Sequence, residues 1–145
     1  MRRFQPAIFT VGIAAAFAVT ACDAAEEDYL FGVDEAVAAE LERLGVEPTA
    51  DAEVHEETLP EDLGAEPQWG VVEGACEEGG YDLEPFAGQT VTLTGVEIAG
   101  SCQDAPIRAW VISQGEVIAC AYLSIREGGT MTPGVWPVDS AWCDY

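Results

Sequence analysis

The chain has no lysine and one histidine, His55, and all five of its basic residues are arginines. Against them stand 27 acidic residues, so the formal net charge is −22. Proteins that bind nucleic acid need clustered lysine and arginine to neutralise the phosphates. The composition therefore excludes nucleic acid as a partner. An anionic membrane surface would also repel this chain, and like-charge repulsion between copies favours a monomer.

The sequence also lacks the usual signatures of catalysis and of metal binding. It contains neither a His-Glu-x-x-His nor a Gly-x-Ser-x-Gly motif, and no phosphate-binding glycine loop. His55 lies among Glu53, Glu56 and Glu57, but an acidic, solvated loop accounts for this cluster without a metal. We therefore predict no catalytic, cofactor-binding or metal-binding residue and no cofactor, and we interpret the protein as a non-enzyme.

No apolar segment at the start of the chain reaches the roughly 20 residues that a transmembrane helix needs. Residues 7–19 form an apolar segment of 13 residues, preceded by Arg2 and Arg3 and ending in Val19-Thr20-Ala21-Cys22. This arrangement resembles the signal peptides of bacterial lipoproteins. The resemblance implies cleavage after residue 21, acylation of Cys22 and an extracytoplasmic, lipid-anchored location on a bacterial membrane, whether inner or outer. The alternative is an ordinary secretory peptide whose cleavage leaves a spare thiol.

Removal of residues 1–21 leaves 124 residues, enough for one small domain. Residues 23–67 hold 16 of the acidic residues, whereas all four tryptophans lie in residues 68–145. We predict an acidic tether over residues 22–31 and a single domain over residues 32–145. Within the domain, residues 46–66 are expected to be extended. Residues 47–66 are predicted to be a mobile, solvated spacer, because acidic segments with few large apolar residues resist ordering.

Four further cysteines, Cys76, Cys102, Cys120 and Cys143, follow the signal segment. An even number in an oxidising compartment predicts two disulfides. Spacings of 26, 18 and 23 residues do not suit structural zinc, which favours closely spaced cysteine pairs. Three connectivities are possible. A helix packed on the sheet favours Cys76 with Cys120, which leaves Cys102 with Cys143.

Two helices are predicted from spacing. Apolar residues four, four and three positions apart indicate an amphipathic helix over residues 33–44, which Gly45 ends. Residues 67–78 begin with a proline and place Trp69, Val72 and Cys76 on one face of a second helix. The sequence also suggests two short strands, one around residues 54–59 and one around residues 135–138.

The remaining pattern predicts an antiparallel sheet. A first strand around residues 91–98 has its apolar residues on one face if Gly95 forms a bulge. A hairpin turning at Gln114-Gly115 pairs Ser113 with Glu116 and leaves both faces apolar. The expected fold is α+β. It consists of a small antiparallel sheet of three to four strands with a central hairpin. One or two helices pack on one side of the sheet, and loops or the C-terminal tail pack on the other. Disulfides cross-link the domain.

Two runs, residues 80–91 (GYDLEPFAGQTV) and 108–118 (RAWVISQGEVI), resemble an uncharacterised domain of unknown function found mostly in Gram-positive lipoproteins. The resemblance covers roughly residues 33–127. It departs at Ala119-Cys120-Ala121, where the family has a glycine pair and an acid. The resemblance supports the fold and brings no catalytic residues with it.

Two function classes follow. The first is a membrane-anchored extracytoplasmic lipoprotein that acts as a non-catalytic binding or envelope-associated module, with an unidentified envelope protein as its partner. The alternative is a carboxylate-dependent hydrolase or another envelope enzyme, which would need a deep pocket containing two carboxylates. Arg108 and Arg126 either pair with nearby carboxylates or anchor an anionic ligand.

Overall fold

The computed structural model describes residues 29–102, 105–125 and 134–138. In chain order these residues form α1 (Glu35–Arg43), β1 (Glu53–Thr58), a 3-10 turn (Leu63–Ala65), α2 (Pro67–Glu78), a second 3-10 turn (Glu84–Phe86), β2 (Thr90–Cys102), β3 (Ala105–Gln114), β4 (Val117–Ile125) and β5 (Val135–Pro137). The α+β class and both predicted helices are confirmed.

All five strands of the described residues lie in one antiparallel sheet, in the order β1-β2-β3-β4-β5. Each strand pairs with its neighbour in the chain, so β1 and β5 are the two edges. The central β3-β4 hairpin is confirmed. Among the described residues the sheet has five strands, so the prediction of three to four is wrong: the short strands suggested around residues 54–59 and 135–138 are both present and form the two edges.

The two helices cover opposite faces of the sheet, which we call the α1 face and the α2 face. Val37 and Leu41 of α1 are buried against one face, and Val72 and Cys76 of α2 against the other. Side chains alternate between faces along a strand, so both faces of the central strands are apolar and each needs a cover. The prediction that the helices share one side is therefore wrong.

Both helices have recognisable ends. The N–H of Ala36 donates to Asp34 Oδ1 at 2.9 Å, which caps α1. The chain leaves α1 through Gly45, which has a φ of 69° in the left-handed region that glycine tolerates. Pro67 opens α2, where its missing N–H is not needed.

The β3-β4 hairpin turns at Gly115-Glu116, one residue later than predicted. Gly115 has a φ of 57°, and the pair that closes the turn is Gln114 with Val117. The predicted pairing of Ser113 with Glu116 is therefore wrong. Glycine supplies the left-handed conformation at the first turn position, which shifts the whole register.

A bulge in β4 shifts the register again. Ala119 has no partner in β3, and the pairing resumes with Ile112 opposite Cys120. Trp110 consequently lies opposite Tyr122, whereas the predicted register would put Ala119 there. This displacement brings two aromatic residues together on the α2 face.

Gly95 does not form the predicted bulge. It pairs regularly with Glu53 of β1 and with Trp110 of β3, and the irregularity of β2 lies further on, between Ile98 and Ser101. The apolar residues before Gly95 therefore face α2, and those after it face α1.

The acidic segment belongs to the folded domain. β1 pairs with β2 over its full six residues, and Leu59 and Leu63, which follow it, are 1% and 3% exposed. Tyr29 also accepts a backbone hydrogen bond from Ala52 at 3.1 Å. The prediction of a mobile spacer over residues 47–66 is wrong, because two buried leucines and the β1-β2 hydrogen bonds order a backbone whose carboxylates stay in solvent.

Cys76 and Cys120 form a disulfide, as predicted. Both are fully buried on the α2 face, where the bond ties α2 to the middle of β4. Cys143 and the side chain of Cys102 lie outside the described residues, so their pairing stays a prediction. Cys22 lies outside them as well.

Candidate functional site

A cleft of about 560 Å³ opens on the α2 face. Trp110 of β3 and Tyr122 and Ser124 of β4 form its floor. Trp110 and Ser124 are half-buried there, whereas Tyr122 is buried and belongs to the same core cluster as the buried residues of α2. The aromatic floor is the feature that distinguishes this part of the sheet.

The walls of the cleft come from three elements. His55 and Glu57 of β1 stand on one side, Gln68 and Val71 of α2 on another, and Val135 of β5 closes the third. Val71 is 54% exposed and so presents apolar surface to the cleft. The walls therefore combine apolar surface with a few polar groups, a composition typical of ligand pockets.

Trp110 is held in place from three directions. Its ring lies across Gly95 of β2, where a Cβ would come within 2.6 Å of the ring. Its Nε1–H donates to Ser124 Oγ at 3.0 Å. The His55 ring meets it edge to face, with centroids 5.8 Å apart and planes at 82°. These contacts fix the orientation of the indole.

Arg108 borders the floor. Its guanidinium carbon lies 5.5 Å from the Trp110 ring centroid, within the range of a cation–π contact. Its Nη1 donates to the carboxylate of Glu53 on β1. Of the two roles considered for Arg108, pairing with a carboxylate is the one found. Arg126 lies outside the described residues.

Tyr122 and Glu57 interact across the cleft. Burial raises the pKa of Tyr122, and the negative charge of Glu57 raises it further. The buried Tyr122 hydroxyl is therefore neutral at physiological pH. Glu57 also lies near His55, with 3.8 Å between Oε2 and Nε2.

The acidic group around His55 is part of a strand, whereas the sequence suggested a solvated loop. Alternation along β1 directs Glu53, His55 and Glu57 to the α2 face and Glu56 to the opposite face. Within residues 29–102, 105–125 and 134–138, no group of three or more potential ligands could hold a metal ion. The cleft lining in this part of the chain contains one carboxylate, that of Glu57.

A second polar cluster fastens α1 to the segment after α2, and none of its members lines the cleft. The Tyr81 hydroxyl donates to Glu40 Oε1 at 2.5 Å, and Arg43 Nη2 donates to the same oxygen at 2.7 Å. The hydrogen bond from Arg43 lowers the pKa of Glu40. Burial and the bond to Glu40 raise the pKa of Tyr81 to about 12. Satisfied groups of this kind fit a structural role.

No family model, curated protein or solved structure matches this chain. Among the described residues, neither helix has the length and apolar character needed to cross a membrane. Any function proposed for the protein must therefore come from its own residues.

Proposed function

We propose that the protein is a membrane-anchored extracytoplasmic lipoprotein that acts as a non-catalytic binding module, with the cleft on the α2 face as its binding site. The aromatic floor of the cleft carries the proposal. Trp110 is oriented by Gly95, Ser124 and His55 without being buried by them. A preoriented aromatic ring offers contact area at little cost in conformational entropy.

The size and composition of the cleft also support its role as a binding site. A volume of about 560 Å³ lies within the range of roughly 300 to 1,000 Å³ seen for ligand sites. Val71 contributes exposed apolar surface at the rim, where an apolar ligand group would remove it from water. The lipid anchor would keep this cleft close to the membrane and so to partners in the envelope.

The anchor is proposed on the context of Cys22 alone. Metabolic labelling of the producing cells with an alkyne fatty acid should tag the wild-type protein. The Cys22→Ser variant should carry no label, because the thiol that accepts the diacylglycerol is gone. Equal labelling of the two proteins would contradict lipidation at this residue.

Blocking the cleft should abolish partner capture. Val71→Arg places a long side chain over the floor at an exposed helix position, where it should not disturb folding. Bait protein carrying this change should recover at least tenfold less partner from detergent-solubilised envelope than the wild type does.

Val117→Arg is the matched control, because Val117 is 56% exposed, lies at the β3-β4 hairpin and undergoes the same change of charge. It should capture partner as the wild type does. If Val71→Arg and Val117→Arg captured equal amounts, the cleft would not be the binding site.

The alternative, a carboxylate-dependent envelope enzyme, needs two carboxylates in one pocket, and the described lining of the cleft contains one, that of Glu57. Such an enzyme would release soluble fragments from isolated envelope, and Glu57→Gln would stop the release. A binding module releases nothing in either form.

A further inference from the structure

We propose that the open edge of β1 binds an extended, basic segment of a partner protein, which pairs with β1 as an additional strand and places a cationic side chain at the mouth of the cleft. This inference rests on the proposed function, since it names the chemistry and the binding mode of a ligand for the same cleft.

The hydrogen-bond pattern shows which backbone groups of β1 face outward. The N–H of Leu59 donates to the carbonyl of Gln89 at 2.9 Å, so these two residues form a hydrogen-bonded antiparallel pair. Such pairs alternate with pairs that exchange no hydrogen bonds. The Thr58 and Thr90 hydroxyls are 3.0 Å apart, as expected for a pair of the second kind. Alternation then directs the backbone N–H and C=O groups of three residues away from β2: Val54, Glu56 and Thr58.

Only one of the two sheet edges suits strand addition. β5 is three residues long and ends in Pro137, which has no N–H to donate. β1 is six residues long, contains no proline and has nothing paired with its outer side among the described residues. Val54 on this edge is also 51% exposed. An edge strand left open in this way is a template for a partner strand.

The charge of β1 selects the partner. Three of its six residues are glutamates; Glu53 pairs with Arg108, and Glu56 and Glu57 have no arginine partner among the described residues. A second copy of β1 would bring like charges into cross-strand contact, which is destabilising. An extended segment rich in arginine or lysine would bring opposite charges into the same positions. The edge therefore disfavours self-association and favours a basic partner.

The edge and the cleft share two residues, His55 and Glu57, which line the cleft from β1. A strand added to β1 would lie about 4.8 Å further out, with every second side chain on the α2 face. A cationic side chain there would stand beside the Glu57 carboxylate and near the ring of His55. The aromatic floor continues from this point to Trp110.

The test uses a fluorescent ten-residue peptide of alternating arginine and threonine, titrated into the full mature protein in detergent micelles. Glu56→Pro removes an outward N–H and leaves the bonds from β1 to β2 in place, since residue 56 does not bond β2. Glu56→Gln is the control for loss of charge alone. We expect Glu56→Pro to weaken binding at least tenfold and Glu56→Gln to weaken it by about threefold or less.

A measurement on the unmodified protein avoids dependence on the folding of the proline variant. On peptide binding, the backbone amides of Val54, Glu56 and Thr58 should gain protection from hydrogen exchange, while those of His55 and Glu57 should change little. Protection that does not alternate along β1, or equal binding by Glu56→Pro and Glu56→Gln, would overturn strand addition. Equal affinity for a peptide of alternating glutamate and threonine would overturn the charge selection.

The same variants separate this inference from the function on which it rests. If envelope capture is lost in Val71→Arg but retained in Glu56→Pro, the cleft binds its partner by another mode, and only the inference fails. If capture is unaffected by Val71→Arg, both the inference and the proposed function fail.

Discussion

Replacing both Cys76 and Cys120 with alanine should lower the free energy of unfolding by about 4 kcal/mol. The disulfide joins residues separated by 44 positions, and the loop-entropy model gives that magnitude for a loop of this length. Because both sulfurs are fully buried between α2 and β4, the two alanines also leave unfilled space in the core. Denaturant unfolding of the double variant and of the wild type, at equal protein concentration, measures the difference.

A loss of less than 1 kcal/mol in the double variant would show that the bond contributes little to the folded state. The single Cys76→Ala variant serves as the control. It removes the same cross-link and leaves a buried thiol, so it should unfold at nearly the same denaturant concentration as the double variant.

Gly95→Ala should destabilise the protein by about 2 kcal/mol, in the range of overpacking a well-filled site. The new Cβ would lie 2.6 Å from Cζ3 of Trp110 and 2.8 Å from two further ring atoms. The ring cannot move away without losing its hydrogen bond to Ser124. Thermal or denaturant unfolding of the variant measures the cost.

A double-mutant cycle assigns this cost to the aromatic contact. In a Trp110→Ala background the same Gly95→Ala change should be neutral or stabilising by about 0.5 kcal/mol, because alanine loses less backbone entropy than glycine on folding. Equal destabilisation in both backgrounds would mean that the Trp110 ring does not rest on Gly95. The orientation of the cleft floor would then have to be explained differently.

Local patterns predicted the helices and the first disulfide. The spacing of apolar residues placed both helices within two residues of their observed ends. Burial of Trp69, Val72 and Cys76 on one face of α2 put Cys76 within reach of β4. These are short-range features, in which the period of the helix decides which side chains are buried.

The register of the sheet could not be predicted in the same way. A glycine near a turn does not reveal which turn position it occupies, and Gly115 takes the first. The bulge at Ala119 shifts the β3-β4 register a second time, and no local sequence pattern predicts this bulge. The acidic composition of the segment around β1 likewise led to the prediction of a mobile spacer, although Leu59 and Leu63 are buried and order that segment.

The cleft depends on these long-range features, which explains why the sequence did not predict it. His55 and Arg108 stand out in the sequence as scarce residue types, but their contact with Trp110 requires β1, β2 and β3 in register. One signal could have been used: a glycine inside a strand often accommodates an aromatic ring from the next strand. The spacing of the apolar residues around Gly95 instead favours a bulge.

Site-specific photo-cross-linking in the producing cells tests the binding site directly. A photoreactive amino acid replaces Val71 at the cleft in one variant and Glu42, which is exposed on α1, in another. We predict that irradiation joins the Val71 variant to a discrete envelope component and leaves the Glu42 variant without that adduct. The same adduct from both positions, or none from Val71, would contradict a binding site in the cleft.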